Sequence, residues 1–416
     1  MKLRFRHPHR RPTNFRRTPL SRCVPGVFAA AILLPLVGCR SQQAATYPAN
    51  YREYAYVTNG GSNTVTVLDV VNLRQDRVIA VGDDPTGVAV NPKRNEVYVV
   101  NTGSNSISVI DAEKKDVVAT IPVMRRPYSI SVDADGTRGY VANSGSNSVS
   151  VIDLDKRREI AVIGVGEAPG MAMISPDGNT LVVSNRIGGS ASVIDARADV
   201  KSLRVRGVWS GCPGATDIAI LPDSSKAFIA CSGGHQVMAI QLATPASGTR
   251  AAAANGTSMR KDALLALLDV GKVPISLALK PDGGEIFAAN YGDGSVSEID
   301  TSTNEVGGAH FVGTHPVRGL IAADDSTLYI SDFDADSLGI FSIDDGQLVG
   351  TSRTGDGPDA LAFSKSGDFL FAVDARSGDV AVIRTATHSL LTILPAGSKP
   401  NEIAVKAFLM KAHSSL

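Results

Sequence analysis

The sequence is poor in the residues that build disulfide scaffolds and aromatic cores. Its 416 residues include four cysteines, one tryptophan and 5% aromatic residues, and its charges cancel to a formal net charge of zero. So little cysteine excludes a fold held together by many disulfides. A zero net charge gives no basic field of the kind that attracts nucleic acid. Because 43% of the residues are hydrophobic, the chain is not a disordered one, and we expect a folded protein with no nucleic-acid partner.

Familiar catalytic and cofactor-binding motifs are also missing. The sequence contains no CxxC, HExxH, GxSxG or Walker loop, and no GxGxxG that leads into a helix. The histidines that follow residue 39 are isolated, and no two of them have the spacing of ligands on a helix. We therefore predict no cofactor and no metal site, and we favour a binding protein over an enzyme.

The zero net charge hides an uneven distribution along the chain. The first 38 residues hold eight basic residues and no acidic one, which leaves 33 basic and 41 acidic residues, a net of −8, in the remainder. The apolar run Val24–Gly38 follows the basic segment. It is shorter than the roughly 20 residues that cross a bilayer, and its position is typical of an export signal. We predict a signal peptide over residues 1–38.

The end of the apolar run, Leu36-Val37-Gly38-Cys39, resembles the lipobox of bacterial lipoproteins. This resemblance implies that Cys39 is lipidated and that residues 39–53 form a flexible tether. It also implies attachment to a membrane of the bacterial cell envelope, with the outer membrane favoured. Separately, we expect a monomer. The alternative is an ordinary cleaved signal with an incidental cysteine. The pair Arg16-Arg17 leaves export by the twin-arginine route open.

A repeat of about 42 residues organises the rest of the chain. The segment Tyr98–Asp111 recurs almost unchanged as Tyr140–Asp153, and a similar segment, Tyr56–Asp69, precedes it by the same interval. Self-similarity at this period is typical of propellers and solenoids. The tetrad Tyr98–Asn101 has a counterpart in every repeat. The last residues of these eight tetrads are Asn59, Asn101, Asn143, Asn185, Cys231, Asn290, Asp332 and Asp374. A proline precedes an apolar alternation at Pro85, Pro127, Pro169, Pro213, Pro274, Pro316, Pro358 and Pro400.

Each repeat predicts four short strands, which we name A to D from the proline onward. Four strands at this period predict an all-β, eight-bladed β-propeller over residues 54–409, followed by a tail over 410–416. The chain starts at a B strand near Tyr56 and ends with an A strand near Asn401–Val405. We therefore predict that the C-terminal strand completes the N-terminal blade, with Val405 beside Val57.

The tetrad Tyr56-Val-Thr-Asn59 and its copies resemble the YVTN-repeat β-propellers of bacterial surface-layer and periplasmic proteins. The resemblance covers about residues 54–409. It implies a binding or scaffold protein, since this family is known mainly in those roles. Related propellers include lactonases, and the resemblance therefore leaves a lactonase-like hydrolase open, with acid–base groups such as Glu402, Asp217 and His315.

Function is expected at the face where the D–A and B–C loops meet, because the residues there vary from repeat to repeat. The varying columns are the residue before each proline and the second residue after it. Ring geometry places Arg126 opposite His315 and Arg318, which suggests a clamp for a small anionic ligand. The other readings are a surface for an envelope protein and a hydrated funnel of mixed charge without a ligand. The candidate ligand-binding residues are Asp84, Arg126, Asp217, His315, Arg318, Asp359 and Glu402.

Three further features carry separate hypotheses. A haem or metal site resembling the eight-bladed d1-haem domain would use His315 with Arg126 or Arg318. The carboxylates of Asp332–Asp336 alternate as at the start of a calcium loop, although solvated loop acids are the favoured reading. Because an exported protein meets an oxidising compartment, Cys212 and Cys231 are candidates for a disulfide. Residues 242–263 form an insertion between strands C and D of the fifth repeat, and the sequence gives it no role.

Overall fold

The computed structural model describes residues 47–196, 200, 203–243 and 261–410. Within these ranges the chain forms eight four-stranded antiparallel sheets, each hydrogen-bonded in the order A-B-C-D from the inside of a ring outward. Each sheet packs against two neighbours, and the ring closes. The predicted eight-bladed β-propeller is confirmed. No helix among these residues has the length and apolarity to cross a membrane.

The blades are numbered from the N-terminal one, and their strands in chain order. Blades 1 to 4 contain β1 (Tyr51–Asn59), β2 (Thr64–Asp69), β3 (Arg74–Ala80); β4 (Pro85–Val90), β5 (Glu96–Asn101), β6 (Ser106–Asp111), β7 (Asp116–Pro122); β8 (Pro127–Val132), β9 (Arg138–Asn143), β10 (Ser148–Asp153), β11 (Arg158–Gly164); and β12 (Pro169–Ile174), β13 (Thr180–Asn185), β14 (Ser190–Asp195), β15 (Val205–Ser210).

Blades 5 to 8 continue the same pattern, and the last strand returns to blade 1. They contain β16 (Ala215–Ile220), β17 (Lys226–Cys231), β18 (Gln236–Gln241), β19 (Ala263–Asp269); β20 (Pro274–Leu279), β21 (Glu285–Asn290), β22 (Ser295–Asp300), β23 (Glu305–Phe311); β24 (Pro316–Ile321), β25 (Thr327–Asp332), β26 (Ser337–Ser342), β27 (Gln347–Arg353); β28 (Pro358–Phe363), β29 (Phe369–Asp374), β30 (Asp379–Arg384), β31 (Ser389–Pro395); and β32 (Pro400–Leu409).

Small and β-branched side chains fill the spaces between the blades. The central B and C strands are buried on both faces, whereas the outer D strands are largely exposed. In the space between blades 8 and 1, for example, Val57 packs in one cluster with Phe371 and Val380. A strand buried on both faces needs apolar residues at nearly every position, which explains runs such as Val-Ser-Val-Ile in β10.

The asparagine that ends the tetrad bonds the B strand to the C strand. In blade 3, Asn143 donates from Nδ2 to the hydroxyls of Ser148 and Ser150, at 3.4 and 2.8 Å. Both partners lie on β10, five and seven residues further on, and all three side chains are buried. A buried side-chain amide needs hydrogen-bond partners. This need explains why the sequence repeats an asparagine followed by a Ser-x-Ser pattern. The same pair of bonds is made by Asn59, Asn101, Asn185 and Asn290.

The residue before each proline is used mainly through its backbone. Arg126 has a φ of +47° and donates its N–H to Oδ1 of Asn105, which ends the B–C loop of the previous blade, at 2.8 Å. Because only the main chain takes part, the side chain at this position is free to vary, as the sequence shows. Equivalent bonds join Asp84 to Asn63, Ala168 to Asn147, Val273 to His235 and Gly357 to Asp336.

The ring is closed by β32, which pairs with β1 in blade 1 as predicted. The register differs from the prediction by two residues, since Val57 lies opposite Ile403 and Val405 lies opposite Ala55. A shift of two keeps the same side chains on each face of the sheet. The paired region is also longer, because Tyr51, inside the segment predicted as a tether, already pairs with Leu409.

In blade 5 a disulfide stands where most other blades have the asparagine. Cys231 ends β17 at the tetrad position, and its sulfur is bonded to that of Cys212 in the preceding D–A loop at 2.00 Å. Both cysteines are fully buried. The disulfide therefore fixes the D–A loop against the B strand immediately before the residues of β16 that reach the channel.

Several sequence predictions lie wholly or partly outside the described residues. These are the signal peptide over 1–38, the lipidated Cys39, the first part of the tether over 39–53, most of the insertion 242–263, and all but the first residue of the tail over 410–416.

Candidate functional site

The innermost strands begin around the mouth of the central channel, at the face where the D–A and B–C loops meet. The first and second residues after the prolines line this mouth, with a shift of two residues in blade 5. Tyr128 from blade 3 and Arg318 from blade 7 border the same pocket. Blades 3 and 7 are opposite in a ring of eight, so the two side chains approach each other across the channel.

Arg318 is the central charged group of this mouth. Its Nη1 lies 3.9 Å from Oδ2 of Asp217, and its Nη2 lies 3.9 Å from Oε2 of Glu402. Both distances are too long for a hydrogen bond. The guanidinium makes no hydrogen bond to any residue within the described ranges, whereas the Arg318 backbone N–H donates to Oγ of Ser331 at 3.0 Å. The backbone is thus held in place while the charged donors remain available.

The carboxylates around Arg318 come from three other blades and differ in how they are held. Asp217 accepts the backbone N–H of Ile218 through Oδ1 and that of Leu277 through Oδ2, both at 2.9 Å. Among the described residues, the Glu402 carboxylate accepts a single hydrogen bond, from the backbone N–H of Ile403 at 3.2 Å. Each oxygen of Asp217 thus accepts a hydrogen bond, whereas Glu402 keeps one oxygen for other contacts.

Burial changes the ionisation of the channel groups. It raises the pKa of Glu402, and the charges of Asp359 and Asp217 raise it further, although Arg318 lowers it in part. Burial also raises the pKa of Asp359, again opposed by Arg318. For Arg318, burial lowers the pKa, but the three carboxylates outweigh that effect and the net shift is upward. Arg318 thus stays charged, while Asp359 and Glu402 hold protons more readily than ordinary carboxyl groups.

A pocket of about 190 Å³ opens beside Arg318 at this mouth. Its second cationic side chain is Arg186, which follows the tetrad of blade 4 and makes no side-chain hydrogen bond or ion pair within the described part of the chain. The phenol ring of Tyr128 is half exposed there. The pocket is lined by Tyr128, Gly170, Met171, Arg186, Ala215, Thr216, Asp217, Ile275 and Arg318.

The structure brings together some of the predicted residues and separates others. Asp217, Arg318, Asp359 and Glu402 share the channel mouth, as their mutual electrostatic effects show. Asp84 and Arg126 are exposed residues of the D–A turns and do not line the pocket. The expected clamp of Arg126 against Arg318 is therefore absent from this pocket.

Sequence reasoning missed Tyr128 and Arg186. Tyr128 is the first residue after its proline, a position that most other blades fill with non-aromatic residues such as Ile275. Arg186 directly follows the tetrad, where most other blades have small residues. When the repeats are aligned, each of these two residues is larger than most residues at the equivalent position of the other repeats. That difference was the signal available in the sequence.

His315 lies on the rim of the same face and already has partners. Its Nδ1 is 2.6 Å from Oδ2 of Asp334, and its ring stacks on Tyr291 with the centroids 4.5 Å apart. Asp334 also accepts a hydrogen bond of 2.5 Å from Arg376, which is the main reason that the pKa of Asp334 is lowered. The side chain of Arg376 covers the ring of Phe333. His315 is thus part of a rim network and does not line the pocket.

The three carboxylates of Asp332–Asp336 point to different partners. Asp332 accepts the backbone N–H groups of Thr314 and His315, and Asp334 pairs with Arg376. Asp336 accepts the N–H of Gly357. Each acid has its own structural partner, and no group of three or more candidate ligands for a metal occurs among the residues described.

Eight four-stranded blades around a channel with a charged pocket at one mouth define the chain as an eight-bladed β-propeller. Residues 36–176 match the family model described as YNCE-like β-propeller. Residues 320–399 match the model described as lactonase, 7-bladed β-propeller. No curated protein matches the chain in sequence.

Several solved structures have a similar fold. Dihydro-heme d1 dehydrogenase NirN, in complex with DHE, is similar with a TM-score of 0.68 and 16% identity over 87% of this chain and 76% of NirN. Apo AztD from Citrobacter koseri has a TM-score of 0.63 and 14% identity, covering 87% and 100% of the two chains. A 6-phosphogluconolactonase-like protein from Bacteroides uniformis has a TM-score of 0.58 and 15% identity, covering 86% of this chain and 100% of that protein. At these identities the similarity shows the fold alone.

Proposed function

We propose that this propeller is a binding protein that takes a small anionic ligand in the pocket at its channel mouth. The observation that carries the proposal is the guanidinium of Arg318, which lies partly buried at the channel mouth, 3.9 Å from both neighbouring carboxylates. Arginine donors left without hydrogen bonds in a partly buried site are suited to an anion. Arg186 adds a second positive charge to the lining of the same pocket.

The test is a thermal-shift screen of the mature chain against acetate, benzoate, gluconate and inorganic phosphate. At least one anion should raise the unfolding temperature, because a ligand that binds only the folded state stabilises it. Arg318→Met should abolish that shift. Arg353→Met is the matched control, since Arg353 is an exposed residue at the end of the outer strand β27. No shift with any anion, or an equal shift in Arg318→Met, would reject the proposal.

A second candidate is a lactonase-like hydrolase, and two observations favour it. Residues 320–399 match the lactonase model, and Glu402 has a raised pKa beside Arg318. A carboxyl group with a raised pKa is suited to general acid catalysis near neutral pH. Turnover of a lactone that disappears in Glu402→Gln but persists in Arg353→Met would support this function, and absence of turnover would leave binding alone.

We also propose that the protein is an envelope lipoprotein of the YVTN-repeat type. The lipobox-like Leu36-Val37-Gly38-Cys39 and the basic leader support the anchor, and the Tyr-Val-Thr-Asn repeats support the family. Mass spectrometry of the mature N-terminus tests this directly. A lipid-modified Cys39 in the membrane fraction is the expected result, and an unmodified N-terminus at another residue would contradict it.

A further inference from the structure

The pocket is apolar on the sides that its charged groups do not occupy. Tyr128 presents a ring that is half exposed, and Met171, Ile275 and Ala215 complete that part of the wall. These four residues offer no side-chain hydrogen bond to a ligand except through the phenol of Tyr128. A ligand body that carries several hydroxyls would lose hydration there without replacement, which is costly.

The charges around the pocket favour an anion of low charge. Arg318 is surrounded by three carboxyl groups, those of Asp217, Asp359 and Glu402, and Arg186 lines the same pocket. Two positive charges are therefore opposed by as many as three negative ones. A dianion adds two further negative charges to this group, whereas a monoanion adds one. Like charges in an enclosed site repel strongly, and the monoanion is accepted at the smaller cost.

The volume of the pocket limits how much of a ligand it can enclose. About 190 Å³ is available, and apolar cavities of about 150 Å³ are known to hold one benzene ring. The pocket therefore has room for one ring, or a branched chain of similar size, together with a carboxylate. A macrocycle is far larger than this volume.

From these features we infer that the ligand is a small organic monocarboxylate with an apolar body, whose carboxylate meets Arg318 and whose body lies against Tyr128 and Met171. This inference rests on the proposed function, because it names the ligand class of the same pocket. It separates that class from hydroxylated sugar acids and from phosphates, which the charge of Arg318 alone would also attract.

The experiment is isothermal titration of the mature chain with four probes of graded chemistry. Benzoate carries the carboxylate and the apolar ring, benzamide has the same shape without the charge, and gluconate and inorganic phosphate carry charge without an apolar body. Benzoate should bind at least tenfold more tightly than each of the other three. Arg318→Met should weaken benzoate at least tenfold, since a charge-assisted contact is lost.

Two aromatic variants test the apolar half of the pocket. Tyr128→Ala should weaken benzoate several-fold, while Tyr128→Phe should bind benzoate nearly as well as the parent chain, because the ring is kept. Phe333→Ala is the control, since Phe333 lies in the rim network with Arg376. Equal benzoate affinity in Tyr128→Ala and the parent chain would overturn the placement of the ligand body.

The outcomes distinguish this inference from the proposal on which it rests. If none of the four probes binds, or if benzamide binds as well as benzoate, the anion-binding function itself fails. If gluconate or phosphate binds as tightly as benzoate and does so through Arg318, the function stands and the apolar monocarboxylate is rejected.

Discussion

Lys406, on the strand that closes the ring, donates a hydrogen bond from Nζ to the backbone oxygen of Asn91 in blade 2, at 2.5 Å. Lys406 belongs to blade 1. On the other side of blade 1, Oε1 of Glu53 accepts the backbone N–H of Lys365 in blade 8, at 2.6 Å. Both charged side chains are buried, and burial lowers the pKa of Lys406. Blade 1 is therefore attached to each of its neighbours by a buried polar contact as well as by apolar packing.

Deleting residues 400–416 should abolish cooperative folding. The deletion removes β32, exposes one edge of β1, and takes away Ile403 and Phe408, which are more than nine-tenths buried. Burying each such side chain stabilises a fold by about 1.5–3 kcal/mol. Circular dichroism during heating measures the change, and deletion of 411–416 alone is the control. A soluble truncation at residue 399 with an unchanged melting transition would disprove the closure argument.

Asp374→Asn should stabilise the protein, increasingly so as the pH rises. Asp374 occupies the asparagine position of blade 8, is fully buried, and has Asp379 where most other blades have serine. Burial and then the contact with Asp379 raise the pKa of Asp374. The pKa of Asp374 is therefore higher in the folded protein than in the unfolded chain. The contribution of this group to stability is complete below about pH 4 and is lost as the pH rises through the folded-state pKa.

Thermal unfolding between pH 4 and pH 9 checks this prediction. The unfolding temperature of Asp374→Asn should exceed that of the parent chain by a few degrees at pH 7 or above, and the difference should shrink toward pH 4. Asp368→Asn is the control, since Asp368 is exposed. A pH-independent difference would show that the proton is not held at Asp374.

Asn143→Ala should destabilise the fold by about 1–3 kcal/mol, because it leaves two buried serine hydroxyls without their partner. Ser150→Ala removes the stronger of the two bonds from the other side. Chemical denaturation of the two single variants and the double variant gives the coupling energy between the residues. Additive effects would contradict the role assigned to the asparagine.

Reducing the disulfide should lower both stability and affinity. Cys212 and Cys231 are 19 residues apart, and closing a loop of this length contributes about 3 kcal/mol. The variant Cys212→Ala with Cys231→Ala should melt at a lower temperature and bind benzoate more weakly, since Ala215, Thr216 and Asp217 follow the bonded loop. Unchanged affinity at a temperature where the variant is fully folded would separate the disulfide from the pocket.

Benzoate binding should weaken as the pH rises. A bound anion favours the protonated forms of Asp359 and Glu402, whose pKa values burial has already raised. Binding should therefore take up protons. Titrations in two buffers of different ionisation enthalpy detect this uptake. Glu402→Gln should reduce the pH dependence, and proton release on binding would contradict the charge arrangement.

The sequence predicted the fold because each repeat contains its own strands and turns. Copies such as Tyr98–Asp111 and Tyr140–Asp153 gave the period, and the chain order gave the shared first blade. The pocket was predicted only in part. Arg318 was named as a candidate from variation between repeats, and it lines the pocket. Glu402, named in the same way, lies beside Arg318 but outside the pocket lining, and Arg126 does not line the pocket either. Tyr128 reaches the pocket from the first position after its proline and Arg318 from the second. The repeat pattern does not show which of these two positions does so in a given blade.

The direction of β1 has a consequence for how the molecule is presented. The strand starts at Tyr51, beside Leu409, and runs toward the loops that surround Arg318. Anything fastened to the polypeptide ahead of Tyr51 is therefore attached at the far side of the ring. A propeller held to a surface by that end keeps its arginine-lined opening clear of the point of attachment, so that solutes can reach it by diffusion.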